Sequence, residues 1–352
     1  MPRRRPGLIK LTSSYIVARR GWTIYRPEPV KHKYVRGRAG RRAWSGRLQR
    51  TKPANLLSDL IPAGSPTAAT AAARSILIGL VGRSIGSSRS PIMHQREGAR
   101  LGMDYTYRLI DFDQLGLDDG ALAEIISAAE ALGFSGLNVT HPYKQSVIPL
   151  LTDLSPEAAA IGAVNTVVFR DGRRTGHNTD SWGFAESFRA GMAGCSLAAV
   201  LQLGAGGAGA AVAHALLELG AEHLAVFDTS LPRAEQLAER LTARFGGRIT
   251  APTDIGPAFA RATGIANTTP IGMAKYPGLP FAPGLLTSRH WVAEIIYFPA
   301  ETDLLKLARQ LGCRTLSGLG MAVNQAVRAF ELFTGIAPDR AAMTRYFAEG
   351  GP

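Results

Sequence analysis

The chain has few cysteines, few aromatic residues and no long uninterrupted hydrophobic run. Two cysteines, Cys195 and Cys313, are too few for a disulfide scaffold, and neither lies near another Cys or a His at metal-ligand spacing. We therefore predict reduced thiols and no metal site. No stretch approaches the roughly 18 apolar residues of a membrane span, and the N-terminal residues lack the apolar segment of a secretory signal. The sequence predicts a soluble, cytoplasmic protein without a membrane partner.

Acidic residues are nearly absent from one part of the chain. Residues 1–74, the N-terminal arm, contain 17 Lys and Arg, whereas Glu28 and Asp59 are the acids there. Residues 75–352 contain 23 basic and 25 acidic residues, so the net charge of +13 arises from the arm. A basic DNA-binding surface on the rest of the chain is therefore not supported.

The N-terminal arm shows no sustained hydrophobic period and ends in the Ala-rich run 63–73. This composition predicts disorder or marginal helix. Three interpretations remain open: a stretch included by a misplaced start, with the folded protein beginning near Ser75; an organelle transit peptide; and a nucleic-acid-binding tail. Under the third interpretation alone, nucleic acid would be a partner.

From Ser75 onward, short apolar runs alternate with Ala- and Leu-rich helical stretches, which is typical of parallel α/β construction. A first set of elements has predicted strands at 76–81, 105–110 and 136–139, and predicted helices at 91–101, at 121–132 and from Tyr143. A second set has predicted strands at 197–203, 224–227, 264–267 and 291–296, and predicted helices at 209–219 and 233–244. We place the boundary between the two sets around 182–197.

The second set contains a GxGxxG pattern between a strand and an Ala-rich helix, which predicts a dinucleotide site. The pattern consists of Gly204, Ala205, Gly206, Gly207, Ala208 and Gly209. The next strand ends at Asp228, where a carboxylate would accept hydrogen bonds from a ribose diol and repel a 2′-phosphate. Arg233 is the nearby cation, and we expect it to face solvent. NAD is therefore the predicted cofactor, with NADP as the alternative.

Polar clusters follow apolar strands of the first set, where α/β proteins hold their ligands. They are Ser87–Pro91, Asn138–Lys144, Gly162–Thr166 and Gly176–Asp180. Their hydroxyls, amides, amine and carboxylate suit a small polyhydroxy carboxylate that undergoes proton transfer. Each cluster also has a purely structural interpretation: Ser90 as a helix cap, Asn165 as a turn former and Lys144 as a surface residue.

These motifs, in this order, resemble the shikimate/quinate dehydrogenase family over residues 76–347. The resemblance rests on Ser88-x-Ser90-Pro91, Asn138-Val139-Thr140-x-Pro142-x-Lys144, Gly162–Thr166, Asn178-Thr179-Asp180, Gly204–Gly209, Asn267-Thr268-Thr269-Pro270-x-Gly272-Met273, Tyr297-x-Pro299 and Gly318–Gln325. It implies a two-domain α/β fold: a substrate domain at 75–181, to which residues 316–352 return, and a Rossmann-type NAD(P) domain at 182–315.

The resemblance also implies roles for individual residues. Lys144 and Asp180 would be the catalytic pair. The substrate would be bound by Ser88, Ser90, Asn138, Thr140, Asn165, Tyr297 and Gln325. The cofactor would contact, besides the glycine-rich turn and Asp228, the residues Asn267, Thr268, Thr269, Met273, Ile295 and Gly318.

The implied reaction is reversible hydride transfer that interconverts 3-dehydroshikimate and shikimate, or 3-dehydroquinate and quinate, in aromatic amino acid biosynthesis or quinate metabolism. Asp228-Thr229-Ser230 replaces the Asn-Arg-Thr usual in NADP-using relatives and resembles the NAD-using branch. Glu294 stands where Asp is usual. A methylene-tetrahydrofolate dehydrogenase fits poorly because Ser88 and Ser90 would lack a purpose.

A nucleotide-sensing regulator with a nucleic-acid-binding arm is the alternative function, although the presence of both Lys144 and Asp180 argues against it. The choice between shikimate and quinate, and between a monomer and a homodimer, stays open at this point.

Overall fold

A computed structural model describes residues 17–18, 22–23 and 75–349. The chain divides into two compact units, residues 1–50 and 51–352. In the first unit, strands β1 (Val17–Ala18) and β2 (Trp22–Thr23) pair antiparallel. The other predictions for the N-terminal arm, and residues 350–352, lie outside the described residues. Within the described part of the chain, no helix is long and apolar enough to cross a membrane.

The first sheet of the second unit has six strands in the order β4-β3-β5-β7-β8-β6. The strands are β3 (Ser75–Gly82), β4 (Asp104–Asp111), β5 (Gly136–Val139), β6 (Asp153–Leu154), β7 (Thr166–Arg170) and β8 (Arg173–His177). Its helices are α1 (Ser90–Arg100), α2 (Leu122–Ala131), α3 (Pro156–Ile161) and α4 (Thr179–Gly191). Apolar side chains of β3 and β5 are buried on both faces, so this sheet lies inside the fold.

Two local predictions for the first sheet are wrong. The sheet is mixed rather than parallel, because β7 runs antiparallel to both β5 and β8. The pair β7–β8 is a hairpin closed by Asp171 and Gly172, whose φ angles of 52° and 70° give the two-residue turn that Asp-Gly favours. The chain after Tyr143 forms turns and a short 3₁₀ helix at Ile148–Leu150 instead of an α-helix. Pro149 cannot donate a helical hydrogen bond there.

The second sheet is wholly parallel, with the order β11-β10-β9-β12-β13-β14. The strands are β9 (Ala199–Leu203), β10 (His223–Phe227), β11 (Ile249–Thr250), β12 (Gly264–Asn267), β13 (Trp291–Glu294) and β14 (Thr315–Leu316). The helices are α5 (Gly207–Glu218), α6 (Leu231–Phe245), α7 (Ile255–Arg261) and α8 (Asp303–Gln310). The strand order changes direction at β9, beside β12, and ligands of α/β sheets bind at such a point.

The last two helices, α9 (Leu319–Thr334) and α10 (Arg340–Glu349), pack against the first sheet's elements. Helix α9 lies along α4, and Gly183, which has no side chain, lets the backbone of Gln325 approach closely. Helix α10 packs on α1, and Met93 of α1 shares a buried cluster with Met343 and Phe347. This agrees with the α/β fold of two sheets that the sequence predicts.

Candidate active site

The two predicted catalytic side chains form an ion pair. Lys144 Nζ donates a hydrogen bond of 2.6 Å to Asp180 Oδ2. The Lys144 side chain is 17% exposed and that of Asp180 is 8% exposed, so Lys144 is not a surface residue. An ammonium has three donors, and two of them stay available for a ligand oxygen. The pair can therefore hold an oxygen atom and exchange a proton with it.

Helix α4 places Asp180 in its first turn. The Asn178 side chain caps this helix by accepting a hydrogen bond from Ser181 N at 3.2 Å, and its amide donates to Ala163 O at 2.9 Å. A negative side chain in the first turn is also favoured by the helix dipole. Local sequence thus fixes the carboxylate, whereas the fold brings Lys144 to it from the loop after β5.

Buried amides and hydroxyls form a polar network beside the ion pair. Asn138 donates from Nδ2 to Thr166 Oγ1 at 3.0 Å, and Asn165 donates from Nδ2 to Thr179 Oγ1 at 2.8 Å. Asn165 Oδ1 also accepts from Thr179 N, next to Asp180. Asn165 is therefore not a turn former but a connection between β7 and the start of α4.

The first polar cluster lies beside the same network at Ser90. The Ser88 hydroxyl accepts a hydrogen bond of 3.3 Å from Ser90 N. Ser90 does not cap α1, because Arg89 is the residue that precedes the helix and makes no side-chain cap. Ser90 lies beside Tyr107, whose hydroxyl donates to Asn138 Oδ1 at 2.8 Å.

The three remaining predicted substrate residues are placed less uniformly. Thr140 follows β5, and its methyl group would lie 2.5 Å from a Cβ on Gly82, so glycine is needed there. Tyr297 is 43% exposed, and its partial burial together with the charge of Asp180 raises its pKa. Gln325 donates to Ala322 O of its own helix at 2.9 Å, so its amide is engaged within α9.

The glycine-rich turn joins β9 to α5 as predicted from the sequence. Gly204 has φ of 99°, and a Cβ on Gly209 would lie 2.4 Å from Gly204 O, so neither position accepts a side chain without strain. A Cβ on Gly206 would meet nothing within 4 Å. This open space at a helix N-terminus fits a pyrophosphate, whose charge the free N–H groups and helix dipole favour. Ala208 lies in the same first helical turn.

The turn also lies against the catalytic lysine. A Cβ on Gly207 would be 3.3 Å from Lys144 Cβ and 3.9 Å from Ala163 Cβ. The loop after β5 and the start of α5 are therefore in van der Waals contact. A group bound on the glycine-rich turn can reach the Lys144–Asp180 pair, and this juxtaposition is what makes one site out of the two sheets.

Asp228 lies at the end of β10 and accepts two backbone hydrogen bonds. Its Oδ2 accepts from Ala205 N and its Oδ1 from Ser230 N, both at 2.8 Å. Arg233 NH1 is 3.6 Å from Oδ1, with a side chain that is 58% exposed. The sequence-based expectation that Arg233 faces solvent is therefore incomplete, because the first turn of α6 also brings it beside Asp228.

The segment after β12 is hydrogen-bonded to the start of the glycine-rich turn. Thr268 Oγ1 donates to Leu203 O at 2.7 Å, within reach also of Gly204 O. Asn267 is fully buried, and its Oδ1 accepts from Thr269 N and Thr269 Oγ1. Asn267 thus fixes the shape of the loop that follows β12. Met273, farther along, is 42% exposed.

Glu294 ties this segment to the end of β13. Both of its carboxyl oxygens accept from Asn267 Nδ2, and they also accept from Ile296 N and Thr302 Oγ1. Burial raises the pKa of Glu294 to about 7, against the opposing effect of these hydrogen bonds. Beyond it, a Cβ on Gly318 would lie 2.2 Å from Ile295 O, so these two predicted cofactor residues are adjacent.

Some residues of the site carry no signal in the sequence. Gln202 is buried in β9 and donates to Gly204 O and Gly209 O, both at 2.9 Å, so it holds the glycine-rich turn together. Tyr107 shares the strand alternation of the buried Tyr105, so its sequence context indicates a core position. Thr179, by contrast, belongs to the Asn178-Thr179-Asp180 motif and so does carry a signal in the sequence. Among residues 75–349, no group of three or more His, Cys, Asp or Glu side chains is placed to hold a metal ion.

Comparison with known proteins places these features in a family. Family models for the shikimate dehydrogenase substrate binding domain and the shikimate 5'-dehydrogenase C-terminal domain match residues 80–167 and 318–345. Shikimate dehydrogenase (NADP(+)) from Streptomyces avermitilis is 54% identical over 278 residues, which is 78% of this chain and 96% of that protein. Quinate/shikimate dehydrogenase (NAD(+)) from Corynebacterium efficiens is 48% identical over 269 residues, 75% of this chain and 95% of that one.

A solved structure agrees. Quinate dehydrogenase from Corynebacterium glutamicum in complex with NAD superposes with a TM-score of 0.74 at 45% identity, covering 78% of this chain and 99% of that chain. The second sheet is parallel and carries the glycine-rich turn, and the first sheet's elements carry the Lys144–Asp180 ion pair. Together they define a two-domain oxidoreductase with a Rossmann-type nucleotide domain. Combined with the sequence identities, this architecture shows that the chain belongs to the shikimate/quinate dehydrogenase family.

Proposed function

We propose that the chain interconverts shikimate and 3-dehydroshikimate, or quinate and 3-dehydroquinate, with NAD preferred over NADP. The observation that carries this proposal is the Lys144–Asp180 ion pair packed against Gly207 of the glycine-rich turn. It supports a reaction in which proton exchange and nucleotide chemistry take place at neighbouring atoms.

The proposed substrate contacts follow the polar network. A carboxylate would be bound by the hydroxyls of Ser88 and Ser90, and ring hydroxyls by the side chains of Asn138, Thr140, Asn165, Tyr297 and Gln325. Asn138 and Asn165 use their amide groups within the protein, which holds their orientation before a ligand arrives. Such preorganisation lowers the entropy cost of binding.

The proposed acid–base group is Lys144. When bound, the nicotinamide supplies or accepts the hydride at the carbon that carries the reacting oxygen. In the reductive direction, Lys144 Nζ donates a proton to that oxygen as negative charge develops on it; in the oxidative direction, Nζ as the free amine accepts the hydroxyl proton. Asp180 orients the amine and hydrogen-bonds the same hydroxyl, so that it is held within reach of Nζ.

The proposed cofactor site is the glycine-rich turn with Asp228. The open space at Gly206 would admit the pyrophosphate, and the Asp228 carboxylate would accept hydrogen bonds from the adenosine ribose diol of NAD. Asn267, Thr268, Thr269, Met273, Ile295 and Gly318 would form the nicotinamide side. Relatives of this chain are named for NADP as well as for NAD, so the preference is a matter of degree.

The test is a set of initial rates with shikimate and quinate, each with NAD and with NADP. We expect reduced cofactor to form with at least one of the acids, faster with NAD. Absence of any cofactor reduction with both acids would contradict the proposal, and equal efficiency with NADP would contradict the cofactor preference alone. The dehydrogenase activity should not require a metal ion, so the rates should be unchanged after dialysis against a chelator.

Three wider proposals accompany this function. The substrate domain comprises 75–181 with the return at 316–352, and the nucleotide domain comprises 182–315. The enzyme acts in the cytoplasm as a monomer or a homodimer, and light scattering would distinguish these two oligomeric states.

The alternative function, a nucleotide-sensing regulator, is disfavoured by family membership. Salt-dependent DNA binding of the full chain without dehydrogenase activity would support that alternative again.

A further inference from the structure

Tyr107 holds a proposed substrate-binding side chain from inside the protein. It lies on β4 and is 3% exposed. Its hydroxyl donates to Asn138 Oδ1 at 2.8 Å. Its backbone N–H donates to Gln95 Oε1 of α1 at 3.0 Å, which fixes the strand at this point.

The amide of Asn138 has a defined orientation as a result. Its Nδ2 donates to Thr166 Oγ1 at 3.0 Å and to Asn165 O at 3.3 Å, while Oδ1 accepts from Tyr107. A carbonyl oxygen has two acceptor positions, so Oδ1 keeps one for a substrate hydroxyl. Without the Tyr107 hydroxyl, the buried Oδ1 of Asn138 would lose its partner, and the amide orientation would be less fixed.

We propose that Tyr107 is a positioning residue for substrate binding, whose buried hydroxyl fixes the amide orientation of Asn138 and hence the acceptor that Asn138 Oδ1 offers to a ring hydroxyl of the substrate. This inference rests on the proposed function, because it takes Asn138 as a substrate ligand. The burial that surrounds the ring also raises the pKa of Tyr107, so the hydroxyl keeps its proton as a donor. The Tyr107 hydroxyl bonds Asn138, whereas Lys144 and Asp180 bond each other, so Tyr107 acts on binding rather than on proton transfer.

The chain contains a matched control two residues away. Tyr105 lies on the same strand and the same face, is 7% exposed, and its hydroxyl pairs with His94 Nδ1 at 2.9 Å. Tyr105→Phe therefore removes an equally buried hydroxyl with one hydrogen bond, but away from the polar network. Both variants keep the ring and its packing.

The experiment measures KM and kcat of the wild type, Tyr107→Phe and Tyr105→Phe in the full chain, together with Tm. For Tyr107→Phe we expect the KM for the acid substrate to rise about tenfold, the size of effect that one lost hydrogen bond produces. We expect kcat to change less than about threefold and the KM for NAD to stay unchanged. Tyr105→Phe should leave all three constants near wild type, with a similar Tm.

Two outcomes would overturn the inference while the proposed function stands. The first is an active Tyr107→Phe enzyme with unchanged substrate KM, whether or not kcat falls. The second is an equal KM increase in both variants, which would indicate general loosening of β4. A wild type that oxidises neither shikimate nor quinate would remove the proposed function, and this inference with it.

Discussion

The two sheets build their proposed ligand sites in opposite ways. The first sheet presents side chains, and its site depends on hydrogen bonds among Asn138, Asn165 and their hydroxyl partners. The second sheet presents backbone, and its site depends on what Gly204, Gly206 and Gly209 lack. A side-chain site can be altered one group at a time, whereas a backbone site fails by steric conflict. Variants near the first sheet should therefore change turnover or substrate KM, whereas variants of the glycine-rich turn should change NAD affinity or stability.

The largest effect is expected from Lys144→Ala. Removal of the proposed acid–base amine should lower kcat by roughly 10²–10⁴. The affinity for NAD, measured by titration in the absence of substrate, should change little, because the glycine-rich turn meets the lysine's stem and not its amine. Lys306→Ala is a suitable control, since that lysine forms an exposed pair with Asp303 on α8. Near-normal turnover in folded Lys144→Ala protein would rule out the assignment.

A second comparison separates two glycines of one turn. Gly209→Ala puts a methyl group 2.4 Å from Gly204 O, so the protein without ligand should lose about 1–3 kcal/mol of stability. Gly206→Ala meets no atom within 4 Å and should leave Tm unchanged, yet weaken NAD binding by about tenfold or more because the methyl occupies the pyrophosphate's approach. Denaturant unfolding and NAD titration of both variants measure this. Normal NAD affinity in Gly206→Ala would place the pyrophosphate elsewhere.

The cofactor preference should depend on the balance between Asp228 and Arg233. A lost hydrogen bond together with repulsion of a 2′-phosphate is worth on the order of 2–4 kcal/mol, which favours NAD by roughly 30- to 1000-fold. Asp228→Asn should narrow this ratio of kcat/KM values. Arg233→Ala should widen it, because it removes the cation that stands 3.6 Å from the carboxylate. If neither variant changes the NAD-to-NADP ratio of kcat/KM values, Asp228 and Arg233 do not determine the cofactor preference.

The smallest effect is expected from removing the N-terminal arm. A chain that begins at Ser75 retains both sheets and every proposed site residue. We expect its kcat/KM and Tm to match those of the full chain within about twofold and a few degrees. Loss of most activity, or precipitation of the shortened chain at low salt, would show that the arm contributes to the folded enzyme.

Much of the molecule follows from local sequence patterns. The strands at Gly136–Val139 and Gly264–Asn267 have the predicted bounds, because each is a short apolar run closed by polar or turn residues. The glycine-rich turn is recognisable because its chemistry is local: a tight turn, open backbone and a helix start within six residues. By contrast, the antiparallel β7–β8 hairpin was missed although Asp171-Gly172 signals it, since the alternation of strands and helices favoured parallel pairing.

What the sequence by itself determined are the features that need a few neighbouring residues: the elements, the turn at Gly204 and the cap that fixes Asp180 on α4. What only the tertiary structure decided are distances between segments far apart in the chain. Four contacts are of this kind: the 2.6 Å contact of Lys144 with Asp180, the packing of Gly207 on Lys144, the approach of Arg233 to Asp228 and the hydrogen bond of Tyr107 to Asn138. Hydrophobic periodicity specifies which face of a strand or helix is buried, but a polar side chain's partner is set by how those buried faces pack together.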